Sequence, residues 1–121
     1  MDQVYDLLIR YKFQETEEST VNKRYFERGD AVILIESDED IKIYYEGSNS
    51  SIPATANIPV TIKSVLGLLA FLELNDEQKN SIKGQINYLD LYYSEIKNKE
   101  DLTAGQLQFI HNYDLLNTSN L

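Results

Sequence analysis

The sequence predicts an α+β fold, in which an N-terminal four-stranded antiparallel β-meander is followed by three α-helices packed on one sheet face. Short apolar runs with strand periodicity fill residues 4–46, and helical spacings fill residues 60–117. A crossing loop, residues 47–59, separates them and holds both prolines of the chain. Strands first and helices after indicate α+β, and 121 residues predict a single domain, 1–121.

The first predicted strand begins at residue 4. Apolar residues occupy every odd position from 5 to 13, and this period of two is typical of a strand with one buried face. A helix is the competing interpretation, because a helical stripe would contain Val4, Leu7, Leu8 and Tyr11. Ile9 and Phe13 fit that stripe poorly, so the sequence favours a strand.

Three further strands are predicted over residues 21–28, 31–36 and 41–46. Gly29 and Asp30 form a two-residue turn of the type that connects hairpins, because glycine accepts a positive φ. Residues 37–40 supply the next turn. Short turns between successive strands predict an antiparallel meander.

The second half contains patterns for three helices. Residues 60–74 are apolar almost all the way round, which predicts a buried helix. Asn75 with Gln78 resembles a capping box and predicts that a second helix starts there and runs to Lys97. Thr103 with Gln106 is a full capping box, which opens a third helix that ends near residue 117.

Composition excludes several functional classes. The net charge of −9 disfavours direct nucleic-acid binding and docking on anionic membranes. Without cysteine, and with His111 as its single histidine, the chain has no thiolate or His-pair metal site, so we expect no metal and no cofactor. We expect a cytoplasmic protein, because the N-terminus lacks a basic region and no apolar stretch is long enough to span a membrane. Frequent Ile, Lys, Asn and Tyr suggest a low-GC bacterium or its phage.

Two acidic clusters are the first candidate binding site. They consist of Glu15, Glu17, Glu18 and of Asp38, Glu39, Asp40. In a meander, the first and third turns lie at the same end of the sheet, so these carboxylates are predicted to share one rim. The rim has three interpretations: solvated turns, a surface that steers a basic protein partner, or a Ca²⁺ or Mg²⁺ site. The spacing lacks the EF-hand pattern.

The outer face of the sheet is the second candidate. Residues 31–35 are apolar at every position, so one helical layer cannot cover both of their faces. Leu8 and Tyr44 are out of phase with the buried residues of their own predicted strands and are predicted to join this outer patch. Such a patch is covered by the 47–59 loop, by a second copy of the chain or by a target.

The sequence contains no convincing catalytic constellation. His111 and Asp114 lie three residues apart on the last predicted helix, but no nucleophile elbow accompanies them. We therefore predict a small acidic cytoplasmic interaction protein, not an enzyme. It would bind and block a basic protein such as a nucleic-acid enzyme, in the manner of immunity proteins, antitoxins or phage-encoded inhibitors. The alternative is a non-enzymatic regulatory or structural module that homo-oligomerises through its sheet, most simply as a homodimer.

Overall fold

A computed structural model describes residues 2–29, 31–36, 40–45, 58–59, 61–82 and 89–119. The chain divides into two compact units, Met1–Ile62 and Lys63–Leu121. The first contains α1 (Asp2–Arg10), β1 (Gln14–Glu15), β2 (Lys23–Arg28), β3 (Ala31–Glu36), β4 (Asp40–Tyr45) and β5 (Ile58–Pro59). The second contains α3 (Asp76–Ile82), α4 (Leu89–Lys97), α5 (Ala104–Ser119) and all but the first residue of α2 (Ile62–Leu72). The α+β class is confirmed. The single domain, and the packing of three C-terminal helices on the sheet, stay predictions.

The predicted first strand is wrong, because most of its residues form helix α1. Val4, Leu7 and Leu8 are all buried, and their spacing of three and four residues defines one face of a helix. Ile9, which a strand would bury beside Leu7, is 53% exposed. The helical spacing of Val4, Leu7 and Leu8 therefore determines the secondary structure of this segment, and the alternation of apolar residues does not.

The end of α1 explains why the apolar pattern continues past the helix. The amide of Phe13 donates to the carbonyl of Leu8, and the amide of Lys12 donates to that of Ile9, both at 3.0 Å. This is a Schellman motif, with Lys12 in the left-handed conformation at φ 75°. Leu8 and Phe13 are both buried, as is usual for the apolar pair that accompanies this motif.

The sheet is an antiparallel meander in the order β1-β2-β3-β4-β5. Strands β2, β3 and β4 have six residues each and confirm the three later predicted strands, whereas β1 and β5 have two residues each. Four strands were predicted because the α1 segment was counted as one and the two short strands were missed. Gly29 has a φ of 57°, as the predicted turn requires, whereas Asp30 and most of the predicted 47–59 loop lie outside the described residues.

One face of the sheet is buried. Phe26 of β2 pairs with Ile33 of β3 in the ladder, and both side chains are buried. Ala31 and Ile35 of β3 are buried as well. Tyr5 of α1 stacks on Phe26 with 5.6 Å between ring centroids. The core of the first unit therefore lies between α1 and this face of the sheet.

The helices of the second unit begin where the capping patterns predict. Asn75 and Gln78 exchange two hydrogen bonds, at 2.8 and 3.0 Å, immediately before and within the first turn of α3. Thr103 and Gln106 make the same exchange at the start of α5, at 2.9 and 3.1 Å. The predicted second helix corresponds to α3 and α4, with residues 83–88 outside the described part of the chain. Five helices are thus described where three were predicted.

The interior of the second unit is built on α2. All eight residues from 64 to 71 are buried, which confirms the prediction of a largely buried helix. Ile82 of α3 and Tyr92 and Ile96 of α4 are also buried, together with Phe109 and Tyr113 of α5. Within the described residues, no helix is long and apolar enough to cross a membrane.

Gly105 allows α5 to approach α3 closely. A Cβ atom at this buried position would lie 2.8 Å from the carbonyl oxygen of Gln78 and would collide with the Ser81 hydroxyl. We expect Gly105→Ala to lower the free energy of unfolding by about 1–3 kcal/mol, because α5 must move away from α3. Urea denaturation measures this loss. An unchanged or increased stability, as helix propensity alone would give, would contradict the close approach.

Candidate protein-binding site

Leu8 does not belong to the candidate site. Its side chain is 0% exposed and forms part of the buried face of α1. The prediction that Leu8 lies on the outer face of the sheet is wrong, because it depended on the strand that the structure replaces with a helix. Leu8 is therefore a core residue of the first unit.

The outer face of the sheet carries the alternate residues of β3. Ala31, Ile33 and Ile35 are buried, so Val32 and Leu34 are directed to the opposite face, where both are half-buried. The ladder pairs Val32 with Tyr44 and Leu34 with Lys42. The side chains of β4 lie outside the described residues, so the placement of Tyr44 on the outer face stays a prediction, as does its role in partner binding.

The strand ends that flank the first and third predicted turns meet at one end of the sheet, whereas residues 37–39 of the third turn lie outside the described part of the chain. Lys23, the first residue of β2, pairs with Glu36, the last residue of β3. The segment that leads into β2 carries Glu17 and Glu18, both exposed. Asp40 begins β4 at this same end, but its side chain lies outside the described residues, as do Asp38 and Glu39 entirely.

Hydrogen bonds to β2 fix the loop that carries Glu17 and Glu18. The Thr16 amide donates to the Tyr25 carbonyl at 2.9 Å, and the Tyr25 amide donates to the Ser19 hydroxyl at 2.9 Å. The Lys23 amide donates to the Thr20 hydroxyl at 3.1 Å. Short hydroxyl side chains that bond nearby amides are typical of defined turns. The two exposed carboxylates therefore project from an ordered support.

Glu15 is neutralised by Arg24. The guanidinium donates two hydrogen bonds to the carboxylate, at 2.7 and 2.8 Å, in a bidentate pair. It also lies over the Tyr5 ring, 3.8 Å from the centroid. The hydrogen bond from Arg24 holds the pKa of Glu15 below its usual value. Glu15 thus links β1 to β2, and less of its charge is available to a partner than that of Glu17 or Glu18.

An open depression of about 750 Å³ lies beside this loop, and we call it the acidic depression. Its carboxylates are Glu15, Glu17, Glu18 and Glu27, and its other lining residues are Thr16, Tyr25 and Val32. Carboxylates accept hydrogen bonds from Arg and Lys side chains, and an aromatic ring adds cation–π attraction. The depression therefore has the chemistry to receive a basic side chain. Within the described residues, no group of three or more acidic or histidine side chains is arranged to hold a metal ion.

A second polar cluster joins α4 to α5. The Tyr93 hydroxyl donates to Asp114 and accepts a hydrogen bond of 2.8 Å from Lys97. Burial, followed by the hydrogen bond to Asp114, raises the pKa of Tyr93 above its usual value. The ring of Tyr93 stacks on Tyr113 with 4.1 Å between centroids. Asp114 therefore has a structural partner in Tyr93, and the cluster connects two helices.

Sequence reasoning missed Thr16, Tyr25 and Glu27 as contributors to the acidic depression, whereas Val32 belongs to the apolar 31–35 run that was predicted to supply the outer face. Tyr25 and Glu27 alternate with the buried Phe26 along β2, so strand periodicity places them together on the outer face. That signal was present in the sequence once residues 21–28 were recognised as a strand. The hydrogen bonds that bring Glu17 and Glu18 beside this strand have no comparable sequence pattern.

Comparisons with protein-family models, with curated proteins and with solved structures give no match for this chain. The acidic depression and its surroundings are therefore the features of this chain that bear on its function.

Proposed function

We propose that this protein is a small acidic interaction protein that binds and blocks a basic protein, such as a nucleic-acid enzyme. The observation that carries the proposal is the acidic depression, which Glu17, Glu18 and Glu27 line together with Tyr25 and Val32. Protein–protein interfaces often combine a charged rim with aromatic residues, because the charge steers the approach of the partner and the ring provides contact area.

Charge across the whole chain supports the same proposal. Acidic residues outnumber basic ones 20 to 11, so the field around the molecule attracts a positively charged surface over a distance. Arg24 is the cation paired with Glu15, and the rings of Tyr5 and Phe26 also contact its guanidinium. The exposed carboxylates Glu17, Glu18 and Glu27 are thus the groups that would meet the partner.

The test removes these three charges together. Glu17→Gln, Glu18→Gln and Glu27→Gln are combined in one variant, which keeps Glu15 so that Arg24 retains its partner. We expect association with the basic target to slow by roughly tenfold at low salt, because steering is lost, and its salt dependence to flatten. The target is identified by affinity capture and mass spectrometry, its inhibition by the purified protein is assayed, and stopped-flow mixing gives the rates.

A matched control removes the same number of charges elsewhere. Glu95, Glu100 and Asp101 are exposed residues of the second unit and are changed to their amides. This control variant should associate much faster than the first variant. Equal rates for the two variants would show that net charge alone steers binding. An unchanged rate in the first variant, or a bound target that stays fully active, would contradict the proposal.

A further inference from the structure

Among the described residues of the second unit, nothing packs on one face of α5. Residues Leu107 and Leu115 are 55% and 56% exposed, whereas every other leucine side chain that the structure describes is buried or half-buried. His111 is exposed midway between them, and Ala104 and Thr118 are exposed at the two ends. We call these five residues the α5 stripe. Helical spacing places them along one side of the helix.

The opposite side of α5 is already occupied. Gly105, Phe109 and Tyr113 are buried, and Gly105 approaches α3 closely. Phe109 also contacts Tyr92 of α4, with 5.9 Å between ring centroids. The helix therefore carries apolar residues on two sides, of which the packing within the second unit uses one.

The α5 stripe has two properties that indicate a second copy of the chain as its occupant. Its spacing of three, four, four and three residues is symmetric about His111. Two such helices packed antiparallel around a two-fold axis would place Leu107 opposite Leu115 of the second copy, and Ala104 opposite Thr118. An interface between identical chains requires this kind of self-complementarity.

The second property is charge. The α5 stripe contains no Asp, Glu, Lys or Arg, in a chain with a net charge of −9. Two copies repel each other through most of their acidic surface, so they can approach where that charge is absent. Asp114, beside the stripe, is bonded to Tyr93 and lies 4.0 Å from the Lys97 ammonium.

We infer that two copies of this protein associate through their α5 stripes, with the helices antiparallel around a two-fold axis at His111. The contact is small compared with a standard interface of roughly 1,600 Å². The dimer is therefore weak and forms as the concentration rises. This inference differs from association through the sheet and does not depend on the proposed inhibition of a basic protein.

Sedimentation velocity tests the dimer from about 1 µM to about 1 mM, the range in which weak association is measured. We expect the mass to rise from 14.0 kDa towards twice that value. Leu107→Lys alone and Leu115→Glu alone should each keep the protein monomeric, because each places an unpaired charge against leucine. Val21→Lys, at a site 96% exposed in the first unit, is the control and should leave the dimer intact.

Combining Leu107→Lys with Leu115→Glu in one chain tests the antiparallel arrangement. In that arrangement each substituted position faces its opposite charge in the second copy, so the double variant should dimerise again. The two positions are eight residues, or about 12 Å, apart along the helix, too far to pair within one chain. A wild-type protein that stays at 14.0 kDa, single variants that still dimerise, or a double variant that stays monomeric would each overturn the inference.

Discussion

Leu8→Ala is expected to lower the free energy of unfolding by about 2–5 kcal/mol, the range for truncating a buried leucine. Leu8 is 0% exposed on the inner side of α1, and its carbonyl accepts the Phe13 amide that closes the helix. The substitution leaves a cavity among buried apolar residues that cannot collapse fully. Chemical denaturation followed by circular dichroism measures the loss.

Ile9→Ala is the matched control, because Ile9 is adjacent in sequence but 53% exposed. It should change the stability by no more than about 0.5 kcal/mol, as is usual for exposed positions. A strand over residues 4–14 would reverse this order, since it buries Ile9 and leaves Leu8 on the outer face. A larger loss for Ile9→Ala than for Leu8→Ala would therefore contradict α1.

The N-terminal segment shows why apolar alternation can mislead. Positions 5, 7, 9, 11 and 13 satisfy a period of two, yet the helix ends at Arg10 and Phe13 belongs to its C-terminal cap. The apolar residue at position 13 therefore follows from the Schellman motif, and Ile9 is simply an exposed apolar residue. A motif closed by Lys12 at positive φ is hard to recognise in sequence, because glycine normally occupies that position.

Local hydrogen-bond chemistry was the more dependable signal. The two capping boxes predicted the starts of α3 and α5, because Asn75 and Thr103 each need a partner three residues further along the chain. Such a requirement is met within four residues of sequence. The close approach at Gly105 depends on α3, more than twenty residues earlier in the chain, and sequence periodicity contains no information on it.

The candidate site was predictable in part for the same reason. The meander predicted that the first and third turns share one end of the sheet, and the pairing of Lys23 with Glu36 shows that the strand ends beside these turns adjoin. The ion pair that neutralises Glu15 was not predictable, because it joins two strands through a guanidinium stacked on Tyr5 of α1. A charge cluster in sequence thus indicates a candidate site, and tertiary contacts such as the Glu15–Arg24 pair determine which of its charges remain available.

Leu69→Ala is expected to lower the free energy of unfolding by about 2–5 kcal/mol. Leu69 is 1% exposed in the middle of α2, within eight consecutive buried residues. Because α2 is enclosed on all sides, the neighbouring side chains cannot move into the space that the truncation leaves. The second unit should therefore show the loss in full. Its unfolding midpoint should fall to a lower denaturant concentration, while the slope of the unfolding free energy against denaturant concentration stays unchanged.

Thr103→Ala provides the comparison in the same unit. It removes the hydroxyl that accepts the Gln106 amide at 3.1 Å, and a lost N-cap costs about 1 kcal/mol. Thr103 is exposed, so no cavity forms, and the smaller loss reflects the cap alone. Leu69→Ala should thus destabilise the protein at least twice as much as Thr103→Ala. Similar losses for the two variants would mean that α2 is more accessible to solvent than its eight consecutive buried residues indicate.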